Sequence, residues 1–312
     1  MISWRYHVVS LVAVVLAFGL GILAGTSVLD DRLVEQLKQN NATARQERDA
    51  AVALANAYER FVGGLQPTLR DDALVSEEAV VVTSEGVERP ARQAADALTA
   101  SGVDVLATLQ LTHRLAEPEI EDNAAALQGI LGLTSSDPEA LSTGVAEALA
   151  ERLAVGSLAA EDDVLGALLA GGFVTADRDL EAEALLGIGG GGQLVVIAAG
   201  GPRPTRSPAP EALLVPFTER LVRLDIPTVA VGPTEDGYGF VAAVRDANEI
   251  PDCSMVTVDD IDLAGVGGIT LVMAIDRLRD DADPTVRPGG DYGIRGDSIV
   301  PCASDPPDSC RR

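Results

Sequence analysis

Apolar and polar positions fall into three successive rhythms along this chain. From Val8 to Leu29, 22 residues, nothing is charged. As a helix rising about 1.5 Å per residue the run is roughly 33 Å long, enough to cross a ~30 Å hydrocarbon core. Trp4 and Tyr6 precede it as interfacial anchors, and Asp30–Asp31 close it. A heptad seam follows: Leu33, Leu37, Asn40, Ala44, Glu47, Ala51, Leu54, Tyr58, Phe61 and Leu65, at alternating spacings of four and three. Asn40 and Glu47 weaken its first half, so Leu54–Leu65 carries most of the apolar contact. Within the span, Ala17, Gly21 and Gly25 recur every fourth residue, a small-residue face that lets two membrane helices approach.

After Gly63-Gly64 and Pro67 the third rhythm begins. Short β-branched runs at 79–83, 103–109, 193–198, 228–231 and 255–258 predict strands. They alternate with helical patterns over 92–101, several stretches of 118–170 (broken at Pro138, Gly156 and Gly171-Gly172), 211–224, 241–247 and 269–278. Strands alternating with helices predict a mostly parallel sheet covered on both faces. The expected fold class is therefore α/β: one N-terminal transmembrane helix, a coiled-coil helix, then a doubly wound, Rossmann-like domain. Its expected divisions are 1–7 (short cytoplasmic tail), 8–29 (span), 30–66 (coiled coil), 67–278 (α/β domain) and 279–312, a Pro- and Asp-rich disordered tail.

A cleaved signal peptide is the rival reading of the span, with Ala24-Gly25-Thr26 as the cleavage site; apolar regions of such peptides usually run about 7–15 residues. Charge does not settle orientation. Arg32, Lys38, Arg45 and Arg48 follow the span and Arg5 precedes it, but long domains are translocated largely regardless of charge. An uncleaved signal anchor, N-terminus inside the plasma membrane and the long domain outside, is the expectation.

Net charge is −25, with 48 acidic against 23 basic residues. Such a field repels phosphate backbones, so nucleic acid is not an expected partner. The expected partners are the lipid bilayer and either a second copy or another envelope protein. The interface would use Gly21, Gly25, Leu33, Leu37, Asn40, Leu54, Tyr58, Phe61 and Leu65. Cys253, Cys302 and Cys310 are too few for a disulfide framework. Two readings of them stand: a Cys302–Cys310 pair in an oxidising compartment, or three free thiols.

Chemistry-bearing motifs are sparse. Gly187-Ile-Gly189-Gly-Gly-Gly192 has dinucleotide-fingerprint spacing, but it precedes a strand where the fingerprint must follow one and open a helix; a flexible linker is expected instead. Ligands of open parallel sheets bind beyond the carboxyl ends of strands. That singles out the loops 84–90, 200–206 and 232–237, with Arg203 and Arg206 for an anion and Glu235 and Asp236 for a cation. Of two histidines, His7 lies at the membrane edge and His113 reads as a solvent-facing loop residue without a nucleophile motif, so no catalytic residue and no enzyme activity are expected. Cys302 and Cys310 are the weak soft-metal candidates, and no resident cofactor is expected.

Met1-Ile-Ser-Trp-Arg-Tyr-His-Val-Val-Ser10, Leu20-Gly-Ile-Leu-Ala-Gly25, Tyr58-Glu-Arg-Phe61 and the segment from Gly290-Asp-Tyr-Gly293 to Pro301 together resemble the MctB family of actinobacteria, including its SteB-like envelope proteins. The resemblance implies copper transport or homeostasis in the envelope, with an outer-membrane association. For SteB-like members it implies partnership with peptidoglycan hydrolases in cell separation through the coiled coil. A channel requires a closed barrel or several spanning helices. The residues themselves, offering one span, point to a non-enzymatic scaffold.

Overall fold

The structure, a computed structural model, describes residues 4–22, 38, 40–46, 48–49, 51–52, 55, 74–117, 120–156, 163–178, 180–190, 192–200, 211–234, 239–251, 254–263, 265–279 and 289–294. The chain divides into two units, Met1–Tyr58 and Glu59–Arg312.

In the first unit, helix α1 (Trp4–Ile22) is long and apolar enough to cross a membrane. It is exposed all round: Leu11 is 68%, Val14 64% and Phe18 72% accessible. Gly21 lies on this helix, with nothing within 4 Å of where a Cβ would stand. The described residues between 38 and 55, Asn40 among them, are helical and exposed. Gly25, Leu33, Leu37, Leu54, Tyr58, Phe61 and Leu65 lie outside the described residues, and of the seam only Asn40, Ala44 and Ala51 are described.

The second unit is α/β. Its elements run β1 (Glu78–Ser84), α2 (Arg89–Thr99), β2 (Asp104–Leu111), α3 (His113–Ala116), α4 (Glu121–Leu131), α5 (Pro138–Val155), α6 (Val164–Ala170), β3 (Val174–Ala176), α7 (Ala182–Gly187), β4 (Leu194–Ala198), α8 (Glu211–Arg223), β5 (Thr228–Val231), α9 (Phe240–Arg245), β6 (Val256–Val258), α10 (Val266–Arg279) and β7 (Gly290–Tyr292). Among the described residues the strands form one sheet in the order β3-β2-β1-β4-β5-β6-β7. Every neighbouring pair is parallel except β2 with β3. Without the antiparallel edge strand this is the flavodoxin-like order, continued by one strand.

The continuous apolar runs are explained by burial on both faces. In β1, Val80 and Val82 face a core built with α4, α5, α6, α8 and α9. Ala79 and Val81 face a second core built with α2 and α10. Pro138, expected to break a helix, instead opens α5: its missing N–H costs nothing in the first turn, and Asp137 caps the end by accepting from Ala140 N at 3.0 Å.

Two strands were not foreseen. The three-residue β3 pairs Leu109 with Ala176 and Leu111 with Val174. The expected disordered tail returns to the sheet as β7, pairing Val256 with Gly290 and Val258 with Tyr292. Both are short and draw their stability from distant partners. Arg245 secures β7: Nε donates to Thr257 Oγ1 at 2.7 Å, Nη1 to Asp259 Oδ2 at 2.6 Å and Nη2 to the Tyr292 carbonyl at 3.1 Å. The Gly-rich linker is also more than a flexible joint. Gly189 has φ +85°, and a Cβ there would lie 2.7 Å from the Arg152 carbonyl oxygen.

Arg152 itself is the most buried arginine among the described residues. Its guanidinium meets Asp163 and donates to the carbonyls of Ile188 and, at 3.0 Å, Leu185. One side chain thereby joins α5, α6 and the segment after α7. At the other end, Asp260 is fully buried with Oδ1 unpartnered, while Oδ2 accepts from Thr270 Oγ1 at 3.2 Å. Burial, aided by the neighbouring Asp259 and Asp262, pushes its pKa up to about 6 against the Thr270 hydrogen bond.

Breaking the buried pair by Asp163→Ala should cost about 3–5 kcal/mol of unfolding free energy, whereas Arg223→Ala, losing an exposed partner in Glu249, should cost less than about 1 kcal/mol. Urea midpoints compare the two. Because the folded state holds the Asp260 proton to higher pH than the unfolded chain (about 3.9), its contribution is fully present below pH ~4 and is lost as pH rises through about 6. Asp260→Asn should therefore become more stable relative to the native chain by on the order of 2–3 kcal/mol between those limits and change no further above them. A pH-independent difference would contradict the assignment.

Candidate functional site

The chain leaves β1 towards β2 on one side and, after the β2–β3 edge, resumes with β4 on the other side of β1. The outward loops of β1 and β4 therefore diverge, opening a crevice at their carboxyl ends, the usual ligand position in this architecture. A crevice of about 440 Å³ is found there. One wall is the β1–α2 turn and the first turn of α2, from Gly86 through Pro90 to Arg92 and Gln93. Gly200 after β4, Pro233 after β5 and Asp262 after β6 complete it.

Local sequence explains each wall. Gly86, at φ +86°, lets the chain turn sharply after β1. Pro90, in the first helical positions, presets the start of α2. Glu88 stands at the cap position but does not cap; its Oε1 accepts from Gly86 N at 2.7 Å and from Gln110 Nε2 at 2.5 Å. Opposite, Asp262 Oδ1 accepts from Thr234 N at 2.6 Å and Thr234 Oγ1 at 2.8 Å, tying the β5 and β6 loops together. The close passage of α10 over this turn demands glycine at 267, where a Cβ would lie 2.2 Å from the Asp260 carbonyl oxygen.

Arg89 and Arg92 are exposed, and their guanidinium groups make no hydrogen bond or ion pair among the described residues. Gln93 Oε1 is buried without a donor. Beside the crevice, Glu85 accepts from His113 N at 2.8 Å and lies 2.7 Å from His113 Nδ1. The backbone donor first, and then the imidazole, hold the Glu85 carboxyl below its ordinary pKa. His113 is thus not a loop residue: it opens α3 and pairs with Glu85, although its side chain stays 55% exposed.

All three loops expected to face a ligand line the crevice, the first through Gly86–Pro90, the others through Gly200 and Pro233. The proposed ligand residues of the latter two, Arg203, Arg206, Glu235 and Asp236, lie outside the described residues, as do Cys302 and Cys310. Among the described residues no group of three or more His, Cys, Asp or Glu is placed to hold a metal ion. Sequence reasoning did not single out Arg89, although inside the expected loop 84–90, nor Arg92, Gln93 and Asp262. The signal for the first two was in view: arginines opening a helix, where acidic residues ordinarily favour the macrodipole.

Residues 1–299 match the family described as copper transport outer membrane protein, MctB. Proteins named copper transporter MctB from Mycobacterium tuberculosis and Mycobacterium bovis are 26% identical over 318 residues, covering 89% of this chain and 93% of each relative. With an apolar N-terminal helix consistent with membrane anchoring, and a match reaching from the first residue past the last strand of the sheet, this chain belongs to the MctB family.

Proposed function

We propose that the chain is a membrane-anchored, non-enzymatic component of copper homeostasis in the cell envelope, acting as a scaffold and not as the conduit itself. The observation that carries the reading is α1, apolar on every side and exposed along its length. A helix hydrophobic all round belongs in lipid or deep within protein. A single such helix encloses no pore, because a conducting path needs a ring of helices or a closed barrel around it. The named relatives are copper transporters, and copper is the cargo that this family membership suggests.

In this reading the N-terminus is cytoplasmic, α1 spans the plasma membrane once, and the α/β domain stands outside. The segment 30–66 forms a coiled coil that joins two copies or captures an envelope partner. Helical, exposed residues between 38 and 55 support the helical part of that proposal. Gly21 and Gly25 continue the same interface into the membrane.

Leu54→Asp with Phe61→Asp should abolish association and copper tolerance together while leaving the chain in the membrane. Each buried seam residue is worth about 1.5–3 kcal/mol, so the double variant should lose roughly a hundredfold or more in association. Unchanged association and tolerance would defeat the scaffold. Reconstituted alone in liposomes, the full chain should give no copper flux above empty vesicles; saturable flux would assign it the transport step. Pull-down from envelope membranes with and without residues 30–65 identifies the partner, and recovery of a peptidoglycan hydrolase would redirect the reading to cell separation.

A further inference from the structure

The crevice at the switch point combines three features that the fold itself does not use. First, α2 begins without a side-chain cap and without an acidic residue in its first turn, because Glu88 is turned back to Gly86 and Gln110. Second, that positive helix end carries Arg89 and Arg92, three residues apart and therefore on neighbouring faces of the first turn. Cations at a helix N-terminus are of the wrong sign for the macrodipole, and no carboxylate among the described residues forms an ion pair with them, although Glu88 and Asp262 line the same crevice. Third, Gln93 lines the same crevice with its Oε1 buried and lacking a donor. At about 440 Å³ the space lies within the range of small-molecule pockets and exceeds what a bare ion fills.

We propose that this crevice binds a small phosphate monoester. Its anion sits at the start of α2 between the guanidinium groups of Arg89 and Arg92, where helix N–H groups and planar fork donors together suit a phosphate. Its hydroxylated body extends over Gly200 and Pro233 towards Asp262. Asp262 is held in place by Thr234 and accepts from a ligand hydroxyl, and a second ligand hydroxyl reaching Gln93 is the donor its Oε1 lacks. The site is independent of the copper reading: it needs neither the membrane helix nor a partner.

The test uses the full chain in neutral detergent micelles, with adenosine monophosphate, inorganic phosphate and succinate as probes, each compared with sodium chloride at equal ionic strength. The monophosphate should raise Tm by about 2–4 °C at ten times its dissociation constant, and succinate should not. Arg89→Gln with Arg92→Gln should remove this shift. Without any anion that variant should melt no lower than the native chain, since the charges removed faced a positive helix end; a structural role for the arginines would instead lower it. Micelles doped with phosphatidic acid distinguish the source: a shift seen there alone, and lost in the same variant, assigns the phosphate to a lipid headgroup. No phosphate-specific shift in either setting, or a full shift in the double variant, would overturn the proposal.

Discussion

Water cannot stably solvate a helix that shows Leu, Val and Phe on every side, and α1 is such a helix. Leaving one large aliphatic or aromatic side chain exposed forfeits about 1.5–3 kcal/mol, and α1 carries many of them along Trp4–Ile22. A lipid bilayer removes that penalty and satisfies no backbone group that the helix has not already satisfied itself. In the proposed reading this tether is the main functional fact about the chain. It sets where the α/β domain works and holds the seam of 30–66 beside the membrane, where a second copy or an envelope partner meets it at raised local concentration.

The domain beyond is built with few aromatics, only 3% of the chain, of which Phe173, Phe217 and Phe240 are fully buried. Ala and Val on alternating faces of β1 and β4 allow close packing of helices on both sides. Three polar devices then lock what aliphatic packing leaves loose. Arg152 gathers three segments around a buried pair with Asp163. Arg245 clamps β6 to β7. Asp262 joins the loops after β5 and β6 through Thr234. A buried ion pair adds little net stability over a well-packed apolar pair, but leaving one partner alone is costly. These contacts therefore act as pins on register and loop position more than as sources of stability. Of the three, the Asp262–Thr234 contact lies at the crevice, whose walls come from four strand ends.

How much of this was readable from sequence depends on whether the signal is local. β1, β4 and β5 announce themselves as short, Val-rich apolar runs, and the observed limits of β5, Thr228–Val231, coincide with those read from the chain. The start of α2 was placed three residues late because its first turn is Arg-Pro-Ala, with helix propensity hidden behind a proline that in fact favours this position. β3 and β7 were missed for a different reason: three residues give no period, and pairing with distant strands decides them. At the site, the loops were legible from the carboxyl-end rule, but the choice of side chains was not. Arg89, Arg92 and Asp262 come together only through the strand order, which no local pattern encodes.

The tether is tested most directly by the mass and the location of the mature polypeptide. Mass spectrometry on fractionated cells should find a chain that retains Trp4–Ile22 and sediments with membranes, resisting high-salt extraction. A mature N-terminus beyond Gly25, with the protein free in the culture fluid, would contradict the account.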